Sequence, residues 1–556
     1  MILIGILYIY GCVYVSEAVI GLSSVSSLYM PYDYAKGKGV YDFNRNAVEE
    51  TAYDVRNKLI YTAGSRYLHI VDVSKPTKPI IIHKHRLTQN VEDIAICGNY
   101  FAMIQEHKDF PALDGFLKIF KVYNPTTHSL DRIHTIKGKN DEDINRNPPN
   151  EPTKFAGSEL PKLPCMPMLP QFTVHREFEY IQYGIRKPYA PSSLSMNLEP
   201  ESIAFNNDET KLYVTLQENN AVLTIDMATK TLESVFSLGA KQWANLRLDA
   251  SSGDGGTKMR KYPIYSLYQP DGLAYFENNG EGYVITANEG ADVELDQGGV
   301  TFHESERAST MAERNMFSKQ ISPDLLKSLG NNRQLGQLEI SQIDGLDEQG
   351  KIKTVFFYGG RGFSIWRASD MHQVYDSGDE VALKHKQYFN SIFNADSTTR
   401  SPTNNRPTDL KDVRSDNKGV ECESIVMGEA QGKRLIFIAI DRVSTIMVYS
   451  LPAGSTKPVF ESIFRGGRLD KTFQELYKNM EMGDLRPSDM MFLDAKDSPN
   501  NSPMLMVTGR ASGTISLYHV GNVINNSSSR LKADTTTWTL VLHIWVVMLA
   551  IGVLRV

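Results

Sequence analysis

The chain has 556 residues, 59 Lys and Arg against 65 Asp and Glu, a formal net charge of −6, and 41% hydrophobic with 10% aromatic residues. That apolar share builds a large core and excludes a disordered or fibrous chain, and the length exceeds most single compact domains other than barrels and propellers. No run of five basic residues occurs, so a phosphate-binding face has no electrostatic support and nucleic acid is set aside as a partner.

In chain order, Ile2 to Val15 is an apolar run followed by Ser16-Glu17-Ala18, a small-x-small cleavage site. Residues 1–18 read as a secretory signal peptide, with an uncleaved signal anchor as the alternative because no Lys or Arg stands near Met1. From about residue 40 to 522 one unit recurs: an acidic residue before an apolar strand, a turn of Asn, Asp and Gly, a second strand and a third. It spans Glu49 to Val73, Val91 to Val122, Glu199 to Asp226, Gln269 to Gly290, Glu421 to Leu451 and Arg486 to Val520, with a weaker copy over Leu335 to Ala368. Short strands rich in Val, Ile, Tyr and Thr between turn residues predict antiparallel sheet, and repeated small sheets close best as propeller blades, because radial closure leaves few exposed edges. The fold class is therefore all-β, a β-propeller of about seven blades; tandem sandwiches are the runner-up.

Two segments interrupt the repeat. Residues 141–193 carry "RNPPNEPTK" and "LPKLPCMPMLPQF", where proline removes ladder donors, and read as an insertion. Residues 293–331 are polar, with helical patterns in "SERASTMAERNMFSK" and "SPDLLKSLG". Beyond a linker at 523–537, residues 538–556 form a hydrophobic tail. Ser527, Ser528 and Ser529 supply small residues and residues 530–537 a polar spacer, the pattern of a GPI-attachment signal with Ser527 as the lipid-anchor site; a single membrane span is the alternative. Sequons at Asn500, Asn525 and Asn526 are candidate glycosylation sites. Once the signal is removed, Cys97, Cys165 and Cys422 remain, an odd number without paired spacing, and Cys97 in "IAICGNYFAMI" is expected to be a buried thiol.

The stretches "EPESIAFNNDETKLYVTLQENNAV", "YQPDGLAYF", "VITANEGAD", "FSIWRASDMHQVYDSGDE", "RSDNKGVECESI" and "DSPNNSPMLMVTGRASGTISLYHV" resemble the choice-of-anchor I propeller family in order, from about residue 46 to 520. The resemblance implies a secreted, membrane-anchored cell-surface glycoprotein of biomineralising tissue. It further implies calcium as the cofactor, with extracellular matrix or mineral-associated proteins as partners. Some bacterial members carry an alkaline phosphatase label, which keeps a metal-dependent phosphoester hydrolase as the alternative function. The chain departs from the family pattern at Cys422, which stands where a proline is usual between Glu421 and Glu423. In the last blade Ser488 takes an acidic position beside Asp489, and Arg510 takes another.

In a propeller the first strand of each blade lines the channel, so acidic residues at its start gather at one mouth. Glu92, Glu201, Asp271 and Glu423 hold that repeated position. Like charges so close repel, and calcium, hard and oxygen-seeking, is the natural compensator. Further candidate metal ligands are Glu289 and Asp292 in "ANEGAD" and Asp249 and Asp254 in "LDASSGDGG". The bland readings are turn formation, pairing with basic residues, or solvated charge. No nucleophile elbow, zincin histidine pair or phosphate loop appears, and no catalytic residue is nominated.

Overall fold

A computed structural model describes residues 19–105, 116–137, 184–191, 194, 197–297, 300–397 and 404–523. The signal peptide, most of the Pro-rich insertion, the attachment region with Asn525, Asn526 and Ser527, and the hydrophobic tail lie outside the described residues. Residues 21–521 form one compact unit. Among the described residues no helix is long and apolar enough to cross a membrane.

The protein is a β-propeller. Six four-stranded antiparallel sheets are described, each built from consecutive strands except where noted below. Their first strands are Glu50–Asp54, Val91–Cys97, Pro200–Phe205, Leu273–Asn278, Cys422–Ala430 and Pro487–Leu493. Each coincides with the start of one predicted unit. These first strands lie against one another in sequence, the first with the second and the third through the sixth in turn. Thr51 closes the sixth onto the first by donating its amide to Asp489 Oδ2 at 3.1 Å.

Burial on both faces of the middle strands explains the stacking of the blades. In the second strands Leu59–Ala63, Lys433–Ile440 and Met504–Gly509 nearly every residue is buried, because both faces of a middle strand meet a neighbouring blade. The last sheet is completed by the N-terminal strand Val19–Tyr29, which pairs with Thr514–Val523 and so begins the fold well before residue 40.

The weaker seventh copy is not a blade of its own. Its Gly362–Arg367 is the third strand of the sheet begun by Leu273–Asn278. The rest joins a five-stranded sheet drawn from residues 240–357, which buries Trp243, Leu248, Ile264, Met311, Phe317, Leu329 and Phe357 in a separate core. Both helical patterns of the second insertion are helices, Ala308–Glu313 and Pro323–Leu329, the latter capped by Ser322 and opened by Pro323.

Cysteine chemistry also differs from expectation. Cys97 is disulfide-bonded and only half-buried, not a buried thiol. Cys422 is the free, buried cysteine among the described residues, so the partner of Cys97 lies outside them. An odd cysteine count hid the pair.

Candidate functional site at the acidic channel mouth

The first strands do more than deliver carboxylates to the mouth; their backbone is bent there. The ladder is irregular between Val91 and Asp93, Pro200 and Ile203, Cys422 and Ile425, and Pro487 and Met490, in each case across the repeated acidic position. A bulge inserts an unpaired residue and re-aims its side chain. The freed amides find threonines on the second strand: Ser202 donates to Thr215 Oγ1 at 2.9 Å and Asp489 to Thr508 Oγ1 at 3.0 Å. Two residues ahead of Asp271, Glu423 and Ser488, the residues Gln269, Glu421 and Arg486 all adopt left-handed backbone, at φ 50, 53 and 53°. Such strain in non-glycine residues costs on the order of 1–3 kcal/mol each and collects at functional sites.

Gly272 brings two blades together. Its amide donates to the Glu423 carbonyl at 2.9 Å, and a Cβ there would stand 2.6 Å from that oxygen. Only glycine permits the approach that sets Asp271 beside Glu423.

Side-chain oxygens of Asp271, Glu289 and Glu423 lie within 4.8 Å of one another, and so do those of Glu289, Glu421 and Asp441. The two groups share Glu289 but differ in compensation. Glu421 and Asp441 are 1% and 0% exposed and clamped by arginines. Arg414 Nε and Arg442 Nε donate to Glu421 at 2.8 and 3.0 Å, and Arg486 Nε donates to Asp441 Oδ1 at 2.8 Å. Burial pushes the Glu421 carboxyl up, yet Arg414, Arg442 and Lys418 together hold it below the usual range.

The other group has no such clamp. Gln217 Nε2 donates to Glu289 Oε2 at 2.7 Å, Glu423 shares a side-chain hydrogen bond with Glu289, and Glu423 Oε2 is buried without a partner. Burial first, then Glu289 and neighbouring acids, pushes Asp271 and Glu423 well above the ordinary carboxylate range. Burial and then Glu421 raise Glu289. Glu218, with Oε2 likewise buried and unpartnered, is pushed to about 8 by burial and then by Glu201, Glu199 and Glu289. The expected alternatives thus divide across one site: arginine pairing on one side, unrelieved acid on the other.

Of the four residues expected together at the mouth, Asp271 and Glu423 lie close, and they are joined by Glu289, which the sequence assigns with Asp292 to a separate cluster. Glu201 is exposed and its charge acts on Asp271 and Glu218, but it stands outside both close groups. The side chain of Glu92 lies outside the described residues. Asp292 is neutralised by Lys418 Nζ at 3.0 Å and accepts from Ser305 at 2.6 Å. Asp249 and Asp254 belong to a separate loop. Asn500 is exposed. Glu218, Glu421 and Asp441 were missed as site residues, although Glu218, Glu289, Asp441 and Arg510 all follow the end of a second strand, a second repeated acidic position.

The last blade retains more acid than Ser488 suggests. Asp489 accepts from both the amide and the hydroxyl of Thr51 and faces Glu50 and Asp93. Burial, then Asp489 and Asp93, pushes Glu50 to about 9 against the pull of Arg510.

A family model described as the choice-of-anchor I domain matches residues 49–140 and 170–453. The chain belongs to the choice-of-anchor I family. It is 33% identical over 363 residues to the mesenchyme-specific cell surface glycoprotein of Strongylocentrotus purpuratus, covering 61% of this chain and 43% of that protein. It is 34% identical over 201 residues to gigasin-3a of Magallana gigas, covering 36% of this chain and 69% of that protein. The chain therefore spans less than half the length of the sea-urchin relative. Among solved structures, the WD40 domain of Toxoplasma gondii coronin is similar at 8% identity and a TM-score of 0.38, over 91% of this chain and 86% of that one.

Proposed function

We propose that this choice-of-anchor I propeller is an extracellular, membrane-anchored surface glycoprotein of the biomineralisation type, binding calcium, and through it matrix partners, at the acidic mouth. The observation that carries the reading is the close group Asp271, Glu289 and Glu423, with Glu423 Oε2 buried and lacking a donor. Buried acid without compensation is costly unless neutralised, and an all-oxygen donor set suits a hard cation. Asp271, Glu289 and Glu423 would hold the ion, and bound calcium would supply the positive charge that this side of the mouth lacks. Arg414, Arg442 and Arg486 fix Glu421 and Asp441 behind it, which keeps the unclamped carboxylates in position. The surface placement rests on the name of the sea-urchin relative and on the signal and anchor patterns of this sequence.

The deciding experiment is calcium titration of the purified chain with thermal unfolding as readout. A saturable rise that shrinks in Glu423→Gln supports the reading, and either no rise in millimolar calcium or a rise unchanged in Glu423→Gln overturns it. Turnover of a generic phosphate monoester, abolished by chelator and by Glu201→Gln, would instead favour the hydrolase. Release from membranes by a phosphatidylinositol-specific phospholipase tests the anchor.

A further inference from the structure

A second set of orphaned oxygens lies away from the mouth, where the loop 249–258 packs on residues 390–397 and 404–417. Asp249 Oδ1, Asp254 Oδ1, Asn394 Oδ1 and Asp412 Oδ2 are all sealed from solvent without a hydrogen-bond partner. The four residues are 2, 9, 1 and 5% exposed. Buried polar atoms are nearly always paired, so four unpaired acceptors against one unpaired donor, Arg361 Nε, leave an excess that asks for something positive.

Their neighbours hold these oxygens in place and leave them unused. Asn394 Nδ2 donates to Ser415 Oγ at 2.8 Å, and Ser415 Oγ donates to Asp412 Oδ1 at 2.6 Å. That chain spends the other ends of both side chains. The Lys258 amide takes Asp249 Oδ2 at 2.6 Å, leaving Oδ1. Asp249 and Asn394 line one small cavity with Trp243, Arg361 and Phe393. Asp412 and Asp254 are the charges that act most strongly on Asp249, pushing its carboxyl, already raised by burial, to about 7.

The local cations relieve the group only in part: Arg361 is drawn most strongly to Asp249, and Lys411 acts on Asp412. Arg361 spends its terminal nitrogens on backbone carbonyls of Asp249, Ser415 and Asn417, not on carboxylates. Lys258 and Arg260 stand 3.9 Å from Asp254 alone.

From this geometry we infer that Asp249 Oδ1, Asn394 Oδ1 and Asp412 Oδ2 hold a second hard divalent cation of calcium size, which clamps the loop 249–258 to residues 390–397 and 404–417. The three carboxylates do not all approach within 4.8 Å as those at the mouth do. Asp254 therefore acts through its charge or an intervening water, a common arrangement in calcium sites. The site is structural and independent of the mouth.

Trp243 makes it readable, because excitation of an indole at the cavity wall sensitises bound terbium. In the full chain, terbium should give emission that calcium displaces, that Trp243→Phe and Asp249→Asn remove, and that Glu289→Gln leaves intact. Equilibrium dialysis should find one calcium fewer per chain in Asp249→Asn, or in Asn394→Ser should the first variant fail to fold. The inference is overturned by displaceable emission that survives both variants, by no displaceable emission in the wild type, or by unchanged calcium stoichiometry. Loss of binding in Glu289→Gln alone would support the mouth without supporting this site, and the converse result would do the reverse.

Discussion

Glu289→Gln is the sharpest perturbation of the mouth, because Glu289 belongs to both close carboxylate groups. Were both ionised, two carboxylates at 4.8 Å would repel by about 3.5 kcal/mol at an effective dielectric of about 20, a cost that adds to burial in raising these groups. The substitution keeps the shape, removes one charge and leaves the amide able to donate to Glu423. In chelator the variant should therefore be as stable as the wild type or more so. In calcium the order should reverse: an ion at ten times its dissociation constant adds about 1.4 kcal/mol to the wild type, and at a thousand times about 4 kcal/mol. For the unit spanning Gly21–Gly521, an unfolding entropy of about 2 cal/mol/K per residue converts these gains to midpoint shifts of roughly 1.4 and 4 °C. Differential scanning calorimetry in chelator and in rising calcium, at fixed ionic strength, reads both effects. A variant that melts well below the wild type in chelator, beside a wild type indifferent to calcium, would refute the argument from repulsion and the ion together.

Glu50 gives a pH test. Its folded carboxyl, at about 9, lies above the ordinary 4.5, so its contribution is fully present below about pH 4.5 and is lost as pH rises toward 9. Glu50→Gln should leave urea stability unchanged near pH 4.5 and raise it by several kcal/mol near pH 8.5, which flattens the profile. Arg442→Met strips a donor from buried Glu421 and Asp441 and should cost about 3–5 kcal/mol by urea unfolding, with Glu421→Gln recovering part of the loss. Reduction of the Cys97 disulfide should lower stability by about 2–4 kcal/mol and free two thiols beyond Cys422 on titration.

The propeller was legible because its signal is repetitive: the same strand, turn and acidic start recur six times, and each recurrence became a first strand. The seventh copy failed because a short apolar, aromatic stretch looks alike whether it founds a blade or joins one, and Gly362–Arg367 joins the sheet of Leu273–Asn278 across a long insertion. The five-stranded sheet over residues 240–357 escaped for the same reason; its strands are two or three residues long and carry no period. Asp271 and Glu423 were found by position in the repeat, and Glu289 by the local run "ANEGAD" without the grouping it enters. Arg414, Arg442 and Arg486 were not, since an arginine that clamps a carboxylate from another segment leaves no mark on either local pattern.

Arg510 shows how the repeat builds asymmetry. It occupies the position after the second strand that Glu218, Glu289 and Asp441 hold in other blades, and it pairs with Glu49 at 2.5 Å on the side of the ring that carries Glu50, Asp93 and Asp489. One substitution in a repeated position thus brings a fixed cation to that side, while among the described residues Asp271, Glu289 and Glu423 have Gln217 as a donor and the more distant charges of Lys418 and Arg486. A ring of equal acids would spread repulsion evenly and favour no place for an ion. Here the arginines compensate their own neighbours, and the unrelieved negative potential is concentrated where Gly272 presses Asp271 against Glu423. The acid lost from the last blade is therefore part of what would direct a cation to the blades that begin at residues 200, 273 and 422.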